Sequence, residues 1–304
     1  MPAIGVLLGL SCVWGASFLF IKVVVEETGP FELVLGRLFF GLLAVLAFVV
    51  YRRAPVRATP RVLALTALMA LVSNVIPFGL IAWGEKHIDS GVASVLNSTV
   101  PIFTSLFAAA LLAEERFTAA RAYGLALGLL GVAVLSGEDI LHITDSSVLG
   151  ELAVVAAAAC YGIGAIIARN LLRTHDPVGL SVLQLGFGVL WSLPLIVVFS
   201  GTPDYSLSLK ATASLVTLGI MGTGFGYIAW LWLIENIGSV RASLVTYVVP
   251  VIALLLGWLV LNESVGPQTI AGAALIIVGV ASVLRGQVPA RAGAAAAPEA
   301  VALE

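Results

Sequence analysis

The stretch WGEKHIDSGVASVLNSTVPIFTSLFAAALLAE, residues 83–114, returns as WLIENIGSVRASLVTYVVPVIALLLGWLVLNE at residues 232–263. Trp83, Ile88, Ser94, Pro101 and Glu114 fall on Trp232, Ile237, Ser243, Pro250 and Glu263 at an offset of 149. The correspondence continues outward from it. Pro30, Arg37 and Gly41 match Pro177, Gln184 and Gly188 at an offset of 147, and Gly131-Val132-Ala133 matches Gly279-Val280-Ala281 at 148. The chain therefore reads as two copies of one unit, each with five apolar spans. An odd number of crossings makes the second copy enter the membrane with the opposite orientation, so the halves are expected to be related by a pseudo-two-fold axis in the membrane plane.

Composition agrees with a bilayer as solvent. Of 304 residues, 60% are hydrophobic and 11% charged, with a mean hydropathy of +1.10, whereas soluble domains carry roughly 25% charged residues. The expected fold is an all-α integral membrane protein of ten transmembrane helices arranged as two inverted five-helix repeats. Windows long enough to cross about 30 Å of hydrocarbon fall near 4–24, 31–51, 62–83, 91–113, 118–137, 148–169, 177–200, 209–233, 239–261 and 266–285. These unbroken runs are too long for barrel strands. The units are then residues 1–138, a linker loop 139–147, residues 148–285, and an Ala- and Pro-rich tail 286–304 expected to be disordered and cytoplasmic. The first span lacks the basic n-region of a signal peptide and reads as an uncleaved helix.

Charge sets the orientation. With the N-terminus in the cytoplasm, inner segments hold eleven arginines, among them Arg52, Arg57, Arg121, Arg173 and Arg241, and outer loops hold only Lys86 and Lys210. The positive-inside rule then places both termini in the cytoplasm. The net charge of −2 comes with no basic stripe and so points to no nucleic acid. Cys12 and Cys160 lie in spans of different halves and suggest no metal site. No Gly-x-x-x-x-Gly-Lys loop occurs, so no ATPase and no cofactor is implied.

Polar residues inside the spans mark the candidate site. Ser94, Asn97, Ser98 and Pro101 share one face of helix four, and Ser243, Thr246, Tyr247 and Pro250 share one face of helix nine. Each proline should free the carbonyl four residues back, that of Asn97 or Thr246. Such groups at membrane depth fit a water-filled cavity, or alternatively hydrogen bonds that join helices. Trp14 and Ser17, Ser73 and Asn74, Tyr161, and Thr223 with Tyr227 lie near mid-span, and Trp14-Gly15 repeats as Tyr161-Gly162 at 147. Trp83, Trp230 and Trp232 read as interfacial anchors. The run Gly219, Gly222, Gly224 and Gly226, with Pro77 matching Gly226, suits a bending gate or plain close packing.

Arg37 lies about six residues inside helix two. It reads either as a cavity-facing anchor for a substrate carboxylate or phosphate, as a partner of Glu26, Glu27 or Glu32, or as a side chain reaching for the headgroups. Its counterpart Gln184 is neutral. Lys22 reads as reaching for the headgroups too. Glu114 and Glu263 immediately precede a helix and are expected to complement its positive end. None of the seventeen acidic residues lies at the centre of a span and His87, His142 and His175 lie in loops, so no buried proton relay is visible. The candidate substrate residues are thus Trp14, Arg37, Asn74, Ser94, Asn97, Ser98, Tyr161, Gln184, Tyr227, Ser243, Thr246 and Tyr247. The candidate gating residues are Pro101, Pro250, Gly222 and Gly226.

The segments 74–83 and 91–101 ending at Glu114, with the echo 242–250 ending at Glu263, resemble the EamA family of the drug/metabolite transporter superfamily. The resemblance covers residues 4–285. It implies a ten-helix bacterial inner-membrane protein with a central cavity lined by helices one, three, four, six, eight and nine, in a family where several members export amino acids or other small metabolites. The expected function is a secondary transporter that exports a small polar metabolite, with an amino acid foremost, by alternating access. The alternatives are a passive channel or lipid scramblase, or an intramembrane enzyme. The last would need clustered acids, histidines or an activated nucleophile, which the sequence does not offer. Partners are then the small-molecule substrate and the lipid bilayer.

Overall fold

The computed structural model describes residues 2–53, 59–111, 118–136, 146–172, 175–200, 204–237 and 245–285. Among these residues every regular element is a helix and none is a strand. The helices are α1 (Pro2–Val25), α2 (Pro30–Arg52), α3 (Pro60–Ala70, Leu71–Val75 and Ile76–Gly84 in series), α4 (Ser90–Asn97 and Val100–Leu111) and α5 (Ala119–Ser136). They continue as α6 (Ser146–Leu172), α7 (Pro177–Phe199), α8 (Leu209–Thr217, Leu218–Phe225 and Gly226–Ile237 in series), α9 (Val245–Leu261) and α10 (Pro267–Arg285). Of the linker 139–147, residues 139–145 lie outside the described residues and Ser146 and Ser147 begin α6; the tail 286–304, Glu114 and Ser243 also lie outside them.

Seven of these helices, α1 to α4 and α6 to α8, are long and apolar enough to cross a membrane, and α5, α9 and α10 contain shorter apolar stretches. Local chemistry sets their starts. Pro30, Pro60, Pro177 and Pro267 open helices at the position where a missing amide hydrogen costs nothing. Thr59 and Asp176 accept from the amides of Val62 and Gly179 as N-caps. The interior is aliphatic, with Val24, Leu33, Leu96, Leu185, Leu218 and Ile276 fully buried, and apolar side chains such as Val50, Val197 and Val198 face outward. Such an outer surface suits lipid and not water.

Helix α1 packs on α8 and α9, α2 on α7 and α8, α6 on α3 and α4, α4 on α9, α3 on α7, and α5 along α10. Glycines bring the last pair together. A Cβ on Gly131 would sit 2.8 Å from the Gly272 carbonyl oxygen, and a Cβ on Gly272 2.8 Å from that of Gly131. Backbone cannot yield as a flexible side chain does, so Gly131→Val should destabilise the protein by about 1–3 kcal/mol. Gly5→Val, where no atom lies within 4 Å, is the matched control. Equal thermal midpoints for the two variants would contradict this packing.

The counterpart prolines Pro101 and Pro250 behave differently. α4 is interrupted at Ser98 and Thr99 ahead of Pro101, whereas α9 runs unbroken through Pro250. Neither proline can donate to the carbonyl four residues back, but only α4 breaks at that point. Ser98 Oγ and Thr99 Oγ1 donate to the carbonyls of Val95 and Leu96 at 2.6 and 2.7 Å, competing with the backbone ladder. At the offset of 149 these residues correspond to Tyr247 and Val248. Valine has no hydroxyl with which to do the same.

Two other expectations are corrected. Glu263 does not complement the helix that follows it. Its carboxylate accepts from Ser90 N (2.8 Å), Gly91 N (3.1 Å) and Ser90 Oγ (3.0 Å), so it caps α4 instead. The chain turns there through Asn262 at a left-handed φ of 58°. Lys22 does not extend to the headgroups either. Its Nζ donates to the carbonyls of Glu85 (2.5 Å) and Ile88 (3.0 Å), closing the C-terminal end of α3.

Candidate substrate site

Pro77 lacks an amide hydrogen, so the carbonyl of Ser73 loses its helical partner. α3 widens just before it into a π-turn, Leu71–Val75. α8 widens likewise at Leu218–Phe225, where glycines admit neighbouring helices: a Cβ on Gly219 would sit 2.9 Å from the Arg37 carbonyl oxygen. Asn74 and Thr223 occupy these turns at the offset of 149 that relates Pro101 to Pro250. Widened turns of this kind recur at functional sites because they expose backbone groups inside a helix.

Each turn is held by a polar side chain from about two turns inside a neighbouring helix. Arg37 Nε on α2 donates to Thr223 Oγ1 at 2.7 Å. Gln184 Nε2 on α7 donates to Asn74 Oδ1 at 2.6 Å. Arg37 corresponds to Gln184 and Thr223 to Asn74, so the two bonds are counterparts. Asn74 Nδ2 in turn donates to Tyr227 Oη at 2.7 Å, and Tyr227 Oη donates to the freed Ser73 carbonyl at 3.4 Å. On the α8 side Trp14 Nε1 donates to the Gly222 carbonyl at 3.0 Å, with its ring 5.4 Å from that of Trp230.

Arg37 is 7% exposed. Its guanidinium carbon lies 3.7 Å from the centroid of Phe78, Tyr161 and Tyr227 are its electrostatic neighbours, and Phe78 meets Tyr161 edge to face at 6.4 Å. Among the described residues no carboxylate pairs with it and only Nε is hydrogen-bonded. Glu27 is committed to Ser208, accepting from its N and Oγ at 2.7 Å each. A guanidinium backed by an aromatic face and fixed through one N–H keeps the rest of its planar fork for an anion, which a carboxylate or phosphate can accept bidentately.

The structure thus brings Trp14, Arg37, Asn74, Tyr161, Gln184 and Tyr227 into or around one polar centre, with Gly222 as the carbonyl that receives Trp14 and Gly226 packed against the same indole. The α4 residues stand apart from it in their bonding. Ser94 and Ser98 donate to Gly91 and Val95 of their own helix, and Asn97 is half-buried with its Oδ1 unpartnered among the described residues. Thr246 and Tyr247 belong to α9, and their side chains fall outside the described residues. Sequence reasoning missed Phe78, whose correspondence to Tyr227 at 149 was available as a signal. It also passed over Glu85, which directly follows α3 and is fully buried.

Apolar helices around a charged, hydrogen-bonded centre are the build of a membrane transport protein. The chain belongs to the EamA-like transporter family, whose model matches residues 1–137 and 148–285. It is 29% identical over 274 residues to the uncharacterized transporter YoaV of Bacillus subtilis, spanning 90% of this chain and 94% of that one. It is 29% identical over 273 residues to the probable terminal-alkyne amino-acid exporter of Streptantibioticus cattleyicolor, spanning 88% of each. A crystal structure at 21% identity superposes with a TM-score of 0.66 over 93% of this chain and 97% of its own, a likeness of fold.

Proposed function

We propose that this transporter is a secondary carrier that exports a small polar metabolite bearing a carboxylate, an amino acid foremost, across the bacterial inner membrane by alternating access. The observation that carries the reading is the pair of counterpart hydrogen bonds, Arg37 to Thr223 and Gln184 to Asn74, which leaves the Arg37 fork free between two widened turns. Two inverted five-helix halves, residues 1–138 and 148–285, account for the helix contacts. Exchanging α1–α5 with α6–α10 turns α1–α9 into α6–α4 and α2–α8 into α7–α3, and leaves α2–α7, α4–α9 and α5–α10 unchanged. All ten helices then cross, with both termini cytoplasmic by the arginine distribution. The amino-acid exporter named above supports the substrate class.

Proteoliposomes preloaded with unlabelled amino acids should take up labelled ones in a saturable, trans-stimulated way. Flux that rises linearly with concentration and ignores the trans side would mean a channel, and the carrier reading would be abandoned.

A further inference from the structure

We propose that Glu85 is a proton-binding site of this protein, loaded and emptied through the cleft between the ends of α1, α4, α8 and α9. Glu85 is 0% exposed, and among the described residues neither of its carboxylate oxygens has a hydrogen-bond partner. An ionised carboxylate cannot stay so: burying the bare charge costs several kcal/mol, and the group takes up a proton instead.

Neither nearby cation hydrogen-bonds the carboxylate. Lys22 on α1 bonds the backbone carbonyls of Glu85 and Ile88 and not the carboxylate, and Arg37 on α2 bonds Thr223. Glu263, which follows α9, is engaged with Ser90 and Gly91. Glu151 on α6 adjoins Gly150, against which Gly84 packs, and Lys86, His87 and Asp89 share the connection from α3 to α4. Burial pushes the Glu85 carboxyl well above the usual carboxylate range, with Lys22 opposing, Glu263 adding and Arg37 opposing. Asp89 is raised as well, by burial first and then by Glu263.

A route for the proton adjoins this group. Lys22, Asp89 and Glu263 line an open cleft of about 540 Å³, together with Glu26 and Lys210. Glu85 does not itself line this charged, open cleft, but Lys22, which does, holds the Glu85 carbonyl, and Arg37 lies within electrostatic reach. The site needs no particular substrate, so it can hold or fail independently of the function proposed above.

Infrared difference spectra of the full-length protein in lipid, titrated with pH, test it with the proton itself as the probe. A protonated-carboxyl carbonyl band should persist above the range where ordinary carboxylates ionise, disappear in Glu85→Gln, and shift on transfer to D₂O. Should Glu85→Gln fail to fold, Lys22→Met should move the band's midpoint up and Glu263→Gln should move it down. Linkage adds a second readout: the protonated state stabilises the fold, so wild-type thermal stability should fall as pH rises from the ordinary carboxylate range through the raised one. Glu85→Gln should lack that fall. Absence of the band, its survival in Glu85→Gln, midpoints unmoved in the other two variants, or a proton that never exchanges with D₂O overturns the proposal.

Discussion

Arg37→Gln should raise the half-saturation concentration for a carboxylate-bearing substrate roughly tenfold to a hundredfold, with membrane insertion and thermal stability retained. A hydrogen bond to a charged group contributes about 1.5–3 kcal/mol, and about 1.4 kcal/mol is tenfold in affinity. Gln is the residue at the corresponding position 184, where its amide reaches Asn74, so the replacement can reach Thr223 without leaving a buried charge. Arg37→Lys should fall between the two, because an ammonium keeps the charge and loses the planar fork. Transport at unchanged affinity in Arg37→Gln would make the guanidinium a structural tie between α2 and α8.

Glu263→Ala should lower stability by about 2 kcal/mol, read as a fall in the thermal midpoint in detergent or lipid. Two of the three donors it satisfies are backbone amides in the first turn of α4, which have no intrahelical acceptor. The carboxylate also faces the positive end of that helix. Glu263→Gln keeps one acceptor oxygen and should lose less. A midpoint for Glu263→Ala equal to that of wild type would mean that water replaces the carboxylate at no cost.

Much of the polar centre was legible because a repeat prints its important positions twice. Arg37 over Gln184, and Trp14 over Tyr161, stand out as polar or aromatic residues at matching depths of apolar spans. What those residues bond was not legible. Thr223 lies 186 residues from Arg37 and Tyr227 153 from Asn74, and no periodicity reports which neighbouring helix supplies a partner. The π-turns were hidden for a related reason: Pro77 and the α8 glycines announce a bend, but whether a ladder kinks or widens depends on what receives the freed carbonyls. Glu263 reads locally as a cap for the next helix, and only its hydrogen bonds in the folded chain show that it reaches back 173 residues. Glu85 reads as a loop acid because span windows are set by hydropathy, which cannot register α1, α2 and α6 closing over the end of α3.

Under the carrier function proposed above, the broken α4 and the continuous α9 bear on where the empty protein rests. In a carrier of two inverted halves, switching sides means that each half adopts the shape its counterpart had. Were the halves identical, the two facing states would be equal in energy. Ser98 and Thr99 favour an interrupted helix in a way that Tyr247 and Val248 do not, so handing the break from one half to the other is uphill in one direction. Every 1.4 kcal/mol or so of that difference skews the resting populations about tenfold. Two hydroxyl groups would thereby act as a built-in spring, giving the protein unequal half-saturation concentrations on its two faces before any ion or voltage is applied.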